Sequence, residues 1–355
     1  MGLSSSHPHH RSSTFVLFTS LFASLTACGD GDPPGAPIPS DATTPLRDAA
    51  STDRGDTGNA DGDGGDLGDQ DAGDSGRVCP GDHDLRVDVA GYVQAFRVHV
   101  PRGAPGPVPI VVQLHGAGSS GEEMERITGL SLLADREGFV VVTPEGAGDT
   151  FRTWNAGTSF GDSDHVAALS AAVERTHTLV GCEGNPLVDP TRVYVAGQSN
   201  GAMMAYRLAC ERSDLVRAIV SGAGFTANDD GSGTEVFPCE LERPVAVLQM
   251  NGGRDRCVPI DGRGEIVPSA EENVAAWRER NGCDAEGSDE TDAFGVRRRR
   301  WACRGGAAVE WITEDAHGHA WAGSDPTIGM SATACGPPSE NFSATAELWR
   351  FFEAH

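Results

Sequence analysis

The chain has 355 residues, nine cysteines and a formal net charge of −25, from 27 Lys and Arg against 52 Asp and Glu. That length admits one large domain or two small ones. A chain this acidic repels nucleic acid and anionic lipid headgroups, which excludes nucleic acid as a partner.

The first 28 residues read as a targeting segment. Arg11 stands among His7, His9 and His10, and an apolar run from Thr14 to Thr26 follows. The run is too short to span a bilayer, which needs about 20 apolar residues, and it suits a cleaved signal peptide. It ends in Leu25-Thr26-Ala27-Cys28. That tetrapeptide resembles the bacterial lipobox, in which the cysteine is acylated and becomes the new N-terminus. Cys28 is therefore the expected lipidation site and the membrane contact. The competing reading is a plain signal peptide with an incidental cysteine. Either places the protein outside the cytoplasm, anchored to the envelope or secreted.

Residues 29–77 form an acidic linker, with twelve aspartates against two arginines between 29 and 76. It holds almost no large apolar side chain, so burial cannot offset its ordering entropy and disorder is expected. Within it, Asn59-Ala-Asp61-Gly-Asp63-Gly-Gly-Asp66 looks like part of a calcium loop. Such a loop needs a bidentate Glu at its twelfth position, where Gln70 stands, so the stretch reads as solvated linker.

A globular domain is expected over 78–355. Leu85–Val89 and Ala95–Val100 alternate apolar and polar residues, as an antiparallel edge does. Strand-length apolar runs follow at 110–114, 139–143, 193–196, 218–221, 245–249 and 309–312, with helical stretches at 121–137, 164–180, 202–212, 269–281 and 343–353. Strands alternating with helices imply an α/β fold, a mainly parallel sheet covered on both faces. No insertion is long enough to form a large helical lid.

Eight cysteines remain besides Cys28. An even set in an exported chain implies disulfides. Cys210 with Cys239 and Cys283 with Cys303 are close in sequence and are the expected pairs; Cys79, Cys182, Cys257 and Cys335 stay open. No CxxC pair occurs, and neither a metal nor an organic cofactor is expected.

The chemistry starts at Gly197-Gln-Ser199-Asn-Gly201, a G-x-S-x-G pentapeptide. Alone it is a weak signal. Here a buried strand runs into it and a helix runs out, the context of the nucleophile elbow in α/β hydrolases. Ser199 is then a nucleophile, presented at the carboxyl edge of the sheet with a helix N-terminus behind it. The bland reading is a helix-capping serine. In this fold the base follows the acid in the chain. His317 and His319 both qualify as base, whereas His355 is terminal. Asp255, in a short loop after the strand at 245–249, leads for the acid, with Asp261 and Asp315 as competitors. His115-Gly116-Ala117-Gly118 closes the strand at 110–114. It nominates the N–H of Ala117, with that of Asn200, for an oxyanion hole, and leaves His115 to hold the loop.

Several segments together resemble the polyhydroxybutyrate (PHB) depolymerase-like and feruloyl-esterase-like branch of the α/β hydrolases. They are Leu114–Gly118, Pro144–Gly146, Arg152–Gly157, Asp189–Val195, Gln198–Cys210, Val258-Pro259, Trp277–Cys283 and Gly318–Trp321. They run in the family's order across the whole globular part. The resemblance implies Ser199 as nucleophile, Asp255 as acid and His319, in its G-H-x-W setting, as base. It adds weight to the Cys283–Cys303 pair and sets Trp154, Asn155 and Trp321 near the substrate, although a core or loop anchor is the alternative for Trp154. Three departures bear on specificity. The acid loop reads Asn251-Gly-Gly-Arg-Asp255 rather than His-Gly-Thr-x-Asp, Trp321-Ala-Gly323 replaces Trp-Pro-Gly, and His165 stands where a second aspartate is common. The implied activity is hydrolysis of carboxylic esters through an acyl-enzyme: aryl or feruloyl esters, acetyl esters of polysaccharide, or polyhydroxyalkanoate oligomers. The competing readings are a serine peptidase on the same fold and a non-catalytic polymer-binding lipoprotein.

Overall fold

The structure is a computed structural model that describes residues 76–103, 106–157, 163–227, 237–264 and 267–355. The expected signal peptide with Cys28, the expected linker up to residue 75 and the calcium-like stretch lie outside the described residues. Near the expected boundary, Val180 donates to the Gly76 carbonyl at 3.0 Å, and Val78 donates to that of Val180 at 2.9 Å.

One sheet is built from β1 (Gly81–Val89), β2 (Tyr92–Val100), β3 (Val108–Leu114), β4 (Val140–Pro144), β5 (Val188–Gln198), β6 (Ala218–Gly222), β7 (Ala246–Gly252), β8 (Ser288–Thr291), β9 (Arg297–Ala302) and β10 (Ala308–Glu314). Its spatial order is β1-β2-β4-β3-β5-β6-β7-β10-β9-β8. The block from β4 to β10 is parallel, and an antiparallel pair flanks it on each side. This is the α/β-hydrolase arrangement. No large helical insertion interrupts it among the described residues.

Alternation along each central strand divides the core in two. Ile110, Val112, Val193, Val195 and Ile219 join one cluster, with Leu169, Met204 and Trp277 from helices α3 (His165–His177), α4 (Asn200–Glu211) and α5 (Ala270–Arg280). Val111, Tyr194, Ala196, Val220 and Leu248 face the other side. They pack with Met124 of α1 (Gly121–Thr128), Leu130 of α2 (Leu130–Glu137), and Leu348, Phe351 and Phe352 of α7 (Ala344–Glu353). A helix α6 (Met330–Cys335) precedes α7.

Two details differ from the sequence reading. The single helix expected over 121–137 breaks at Gly129, whose left-handed φ of 59° caps α1 through its N–H to the Glu125 carbonyl, a conformation that suits glycine. The β8–β9 hairpin was not anticipated. β9 carries Arg297-Arg-Arg-Arg300, which shows no apolar alternation. A diagonal ion pair from Arg297 to Asp289 of β8 and the bond from Arg298 to Glu347 of α7 hold it at the sheet's end.

Four disulfides are present among the described residues. Cys210–Cys239 and Cys283–Cys303 are the expected pairs, and the open four join as Cys79–Cys182 and Cys257–Cys335.

Candidate active site

Ser199 occupies the single residue between the end of β5 and the start of α4. Its φ of 53° and ψ of −119° are rare for a residue with a Cβ, and such a conformation costs about 1–3 kcal/mol. The surroundings hold it there. The Ser199 N–H donates to the Gly222 carbonyl at 2.8 Å, and its carbonyl accepts from Met203 at 2.9 Å. The flanking glycines are steric necessities. A Cβ on Gly197 would collide with the backbone of Gly201, and one on Gly201 with the carbonyls of Leu114 and His115. The Ser199 side chain makes no capping bond to α4, so the helix-cap reading is not what the serine does.

Asp255 and His319 meet from the loops that follow two neighbouring parallel strands, β7 and β10. Asp255 follows β7 through Gly252-Gly253-Arg254, and His319 lies in the loop after β10. Asp255 Oδ2 accepts from His319 Nδ1 at 2.7 Å, with the carboxylate fully buried and the imidazole 3% exposed. The other oxygen, Oδ1, accepts from the backbone N–H groups of Cys257 and Val258, both at 2.8 Å. Charge-assisted bonds of this kind hold an ionised carboxylate in place. An ionised carboxylate only accepts, so the shared proton sits on Nδ1. Nε2 is then left with its lone pair, the tautomer that a general base needs. The Gln198 side-chain amide donates to the His319 carbonyl, so the residue before Ser199 is tied to the main chain of the imidazole. Asp261 and Asp315 are exposed. His317 is buried, and its Nδ1 accepts the N–H of Ser339 at 3.0 Å.

The loop after β3 passes over the elbow. A Cβ on Gly116 would stand 3.6 Å from that of Ser199. His115 holds this loop from beneath. Its Nδ1 donates to the Gly116 carbonyl at 2.8 Å, its Nε2 accepts the N–H of Gly146 at 2.9 Å, and its own carbonyl accepts the indole N–H of Trp154 at 2.8 Å. Burial pushes the His115 imidazole down to about 4, so it is neutral. The N–H groups of Gly118 and Ser119 are occupied by Arg152 and Gly116 carbonyls. That of Ala117 has no acceptor among the described residues. The N–H of Asn200 opens α4, where no helical carbonyl can receive it.

Two of the three residues expected to touch substrate are almost wholly buried. Trp154 is fully buried, between the rings of His115 and His165 at 5.0 and 5.3 Å. Asn200 clamps its backbone on both sides, accepting its N–H at 2.7 Å and donating to its carbonyl at 3.1 Å. Trp321 is 2% exposed, and its indole N–H donates to Thr345 at 2.9 Å. Both are anchors of the site walls. Asn155 is partly exposed, but its amide donates to the Ser163 carbonyl and its N–H to Nδ1 of His165. His165, the residue that departs from the family pattern, is therefore a loop anchor. Burial, with the nearby Arg207 charge, lowers it to about 4. The second roles of Gln198 and Asn200 lay inside the pentapeptide, but nothing in its letters shows where a side chain points.

No cluster of three or more His, Cys, Asp or Glu able to hold a metal occurs among the described residues. No helix among them is long and apolar enough to cross a membrane.

A family model described as esterase PHB depolymerase matches residues 94–235. The chain is 32% identical over 262 residues to NocK of Nocardia uniformis subsp. tsuyamanensis, named as an esterase, covering 67% of this chain and 73% of that one. It is 27% identical to feruloyl esterase B of Piromyces equi, covering 63% of this chain and 42% of the relative. It is 30% identical over 151 residues to poly(3-hydroxyalkanoate) depolymerase C of Paucimonas lemoignei, covering 42% of this chain and 35% of the relative. Among solved structures, the acetyl xylan esterase of Aspergillus awamori superimposes with a TM-score of 0.51 at 14% identity. The match covers 74% of this chain and 94% of that one, and it speaks to the fold.

Proposed function

This chain belongs to the esterases of the PHB-depolymerase and feruloyl-esterase-like branch of the α/β-hydrolase superfamily, and from that premise we propose that it cleaves carboxylic esters with Ser199, His319 and Asp255 as its catalytic triad. His319 Nε2 takes the hydroxyl proton as Ser199 Oγ attacks the ester carbonyl. Asp255 holds the imidazole tautomer and stabilises the imidazolium that forms. The N–H groups of Ala117 and Asn200 receive the oxyanion; loss of one such donor costs on the order of 10²–10³ in rate. The imidazolium returns its proton to the leaving alcohol. Water, deprotonated by the same nitrogen, then attacks the acyl-enzyme and releases the acid and free Ser199.

The observation that carries this reading is the buried Asp255–His319 bond at 2.7 Å, together with the bond from the side-chain amide of Gln198, the residue before Ser199, to the His319 main-chain carbonyl. The strained conformation of Ser199 supports it, since a serine with no duty at that turn has no reason to bear the cost.

With no large helical insertion over the site among the described residues, bulky esters suit it: aryl or acetyl esters on polysaccharide, or hydroxyalkanoate oligomers. Four disulfides fit an oxidising compartment, in keeping with export and acylation at Cys28. Metabolic labelling with a fatty-acid analogue should mark the wild-type chain and not Cys28→Ser; equal labelling would discard the anchor.

The test of function is hydrolysis of p-nitrophenyl acetate, p-nitrophenyl butyrate, methyl ferulate and acetylated xylan by the full chain beside Ser199→Ala. Turnover by the wild type alone supports the reading. Equal turnover by both moves the nucleophile elsewhere, and a folded wild type inert on every ester removes the esterase assignment.

A further inference from the structure

Two residues that belong to no catalytic role bracket the acid and the base. Cys257 supplies one of the two N–H donors on Asp255 Oδ1. Cys335 immediately precedes Gly336, whose carbonyl accepts the N–H groups of both His319 and Ala320, at 3.2 and 3.3 Å. Cys257 and Cys335 are bonded to each other. One covalent link therefore joins a residue one hydrogen bond from the acid to a residue adjoining the anchor of the base.

The packing around that link leaves no slack. Arg256 donates its N–H to the Cys335 carbonyl at 2.9 Å, and Arg254 donates to the His317 carbonyl at 2.9 Å. A Cβ on Gly336 would stand 2.8 Å from the Arg254 carbonyl, and one on Gly318 would collide with the backbone of Gly336. Three backbone segments thus cross in contact: the acid loop, the base loop and the end of α6.

We propose that the Cys257–Cys335 disulfide is a positioning device for the Asp255–His319 pair, so that opening it switches the site off while the fold persists. The proposal rests on the triad reading above. Cys257 is partly exposed, which lets a dithiol reach the bond. The dithiol gives up two electrons and two protons and closes to its own disulfide, and Cys257 and Cys335 become two thiols. The acid loop and the Gly336 segment are then free to part by the ångström or so that matters to proton transfer.

Cys79–Cys182 provides the control. Its sequence separation of 103 is comparable with the 78 of Cys257–Cys335. The two links therefore constrain the unfolded chain to a similar degree, but Cys79 and Cys182 lie at the N-terminal start of the domain and at the β-bridged loop after α3. A purely structural role predicts the same phenotype for loss of either.

The experiment compares the full chain with Cys257→Ala/Cys335→Ala and Cys79→Ala/Cys182→Ala. The readouts are kcat and KM on p-nitrophenyl butyrate and the far-downfield proton resonance of a carboxylate-bound imidazole. Removing the site disulfide is expected to lower kcat about 10- to 100-fold, to leave KM within about twofold, and to erase or broaden the resonance. Removing the control pair is expected to leave all three. Equal kcat and an intact resonance in both variants overturn the proposal. If the site variant does not fold, folded wild type is titrated with dithiothreitol until the 257–335 pair opens, and alkylation mapping scores each pair. Activity that falls with alkylation of Cys257 and Cys335 supports the proposal, and activity that survives it overturns the proposal. The resonance reports on the acid–base pair without turnover, so failure of the esterase reading is visible separately as a wild type with the resonance and no ester hydrolysis.

Discussion

Gln198 donates its side-chain amide to the main-chain carbonyl of His319, across 121 residues of sequence. The strand that delivers Ser199 thus also holds the loop that delivers its proposed base. Replacing Gln198 with alanine removes a buried bond worth about 1–2 kcal/mol. If that bond serves the alignment of His319, kcat falls about tenfold with KM little changed. Steady-state kinetics on p-nitrophenyl butyrate check this, and a change in KM alone would assign Gln198 to substrate binding.

Asn200 is expected to separate stability from chemistry. Its N–H is the proposed oxyanion donor, while its side chain clamps both polar groups of the Trp154 backbone. Asn200→Ala keeps the first and removes the second, leaving a buried N–H and carbonyl unpaired. Stability should fall by about 1–3 kcal/mol, read by denaturant titration. A variant as stable as wild type would show that the clamp is dispensable.

Gly201 has no room for a methyl group, because a Cβ there collides with the carbonyls of Leu114 and His115. Overpacking typically costs about 1–3 kcal/mol, and here the obstacle is backbone. Gly201→Ala is expected to reach the top of that range or beyond and to abolish turnover. A stable, active Gly201→Ala protein would contradict the tight approach of β3 to the elbow.

The buried imidazoles set an acid limit on stability. His115, His165 and His317 are each lowered to about 4, chiefly by burial, against about 6.5 in the unfolded chain. Between those values the unfolded state binds more protons than the folded one, so stability falls as pH drops from 6.5 through 4. One such group contributes up to about 3 kcal/mol across the window. His165→Asn can still accept the Asn155 N–H and cannot titrate. Its unfolding free energy should be flatter against pH by up to about 1.4 kcal/mol per unit. An unchanged slope would mean that His165 is not neutral in the fold.

The sequence showed the sheet's central strands and the tight strand-to-helix turn at Ser199, because each is written locally: an apolar run, and a glycine-flanked serine after a strand. Choosing His319 over His317 needed the family resemblance, since two histidines two residues apart carry the same local signal. Burial decided what the letters did not. Trp154 and Trp321 read alike whether a ring faces substrate or core, and Trp154 is drawn inward by Asn200, 46 residues away in the chain. Cys79 and Cys182 stand 103 positions apart, beyond any inference from spacing. The arginine run of β9 folds as a strand because acidic partners on β8 and α7 offset its charge, and no apolar pattern announces it.

The central claim is that Ser199 is the nucleophile, activated by His319 and Asp255. Its most direct test is reaction of the full chain with a fluorophosphonate, followed by peptide mapping. A single adduct on Ser199, formed much more slowly in Asp255→Asn and absent in Ser199→Ala, is the expected result. An adduct on another residue, or none on a folded protein, would contradict the account.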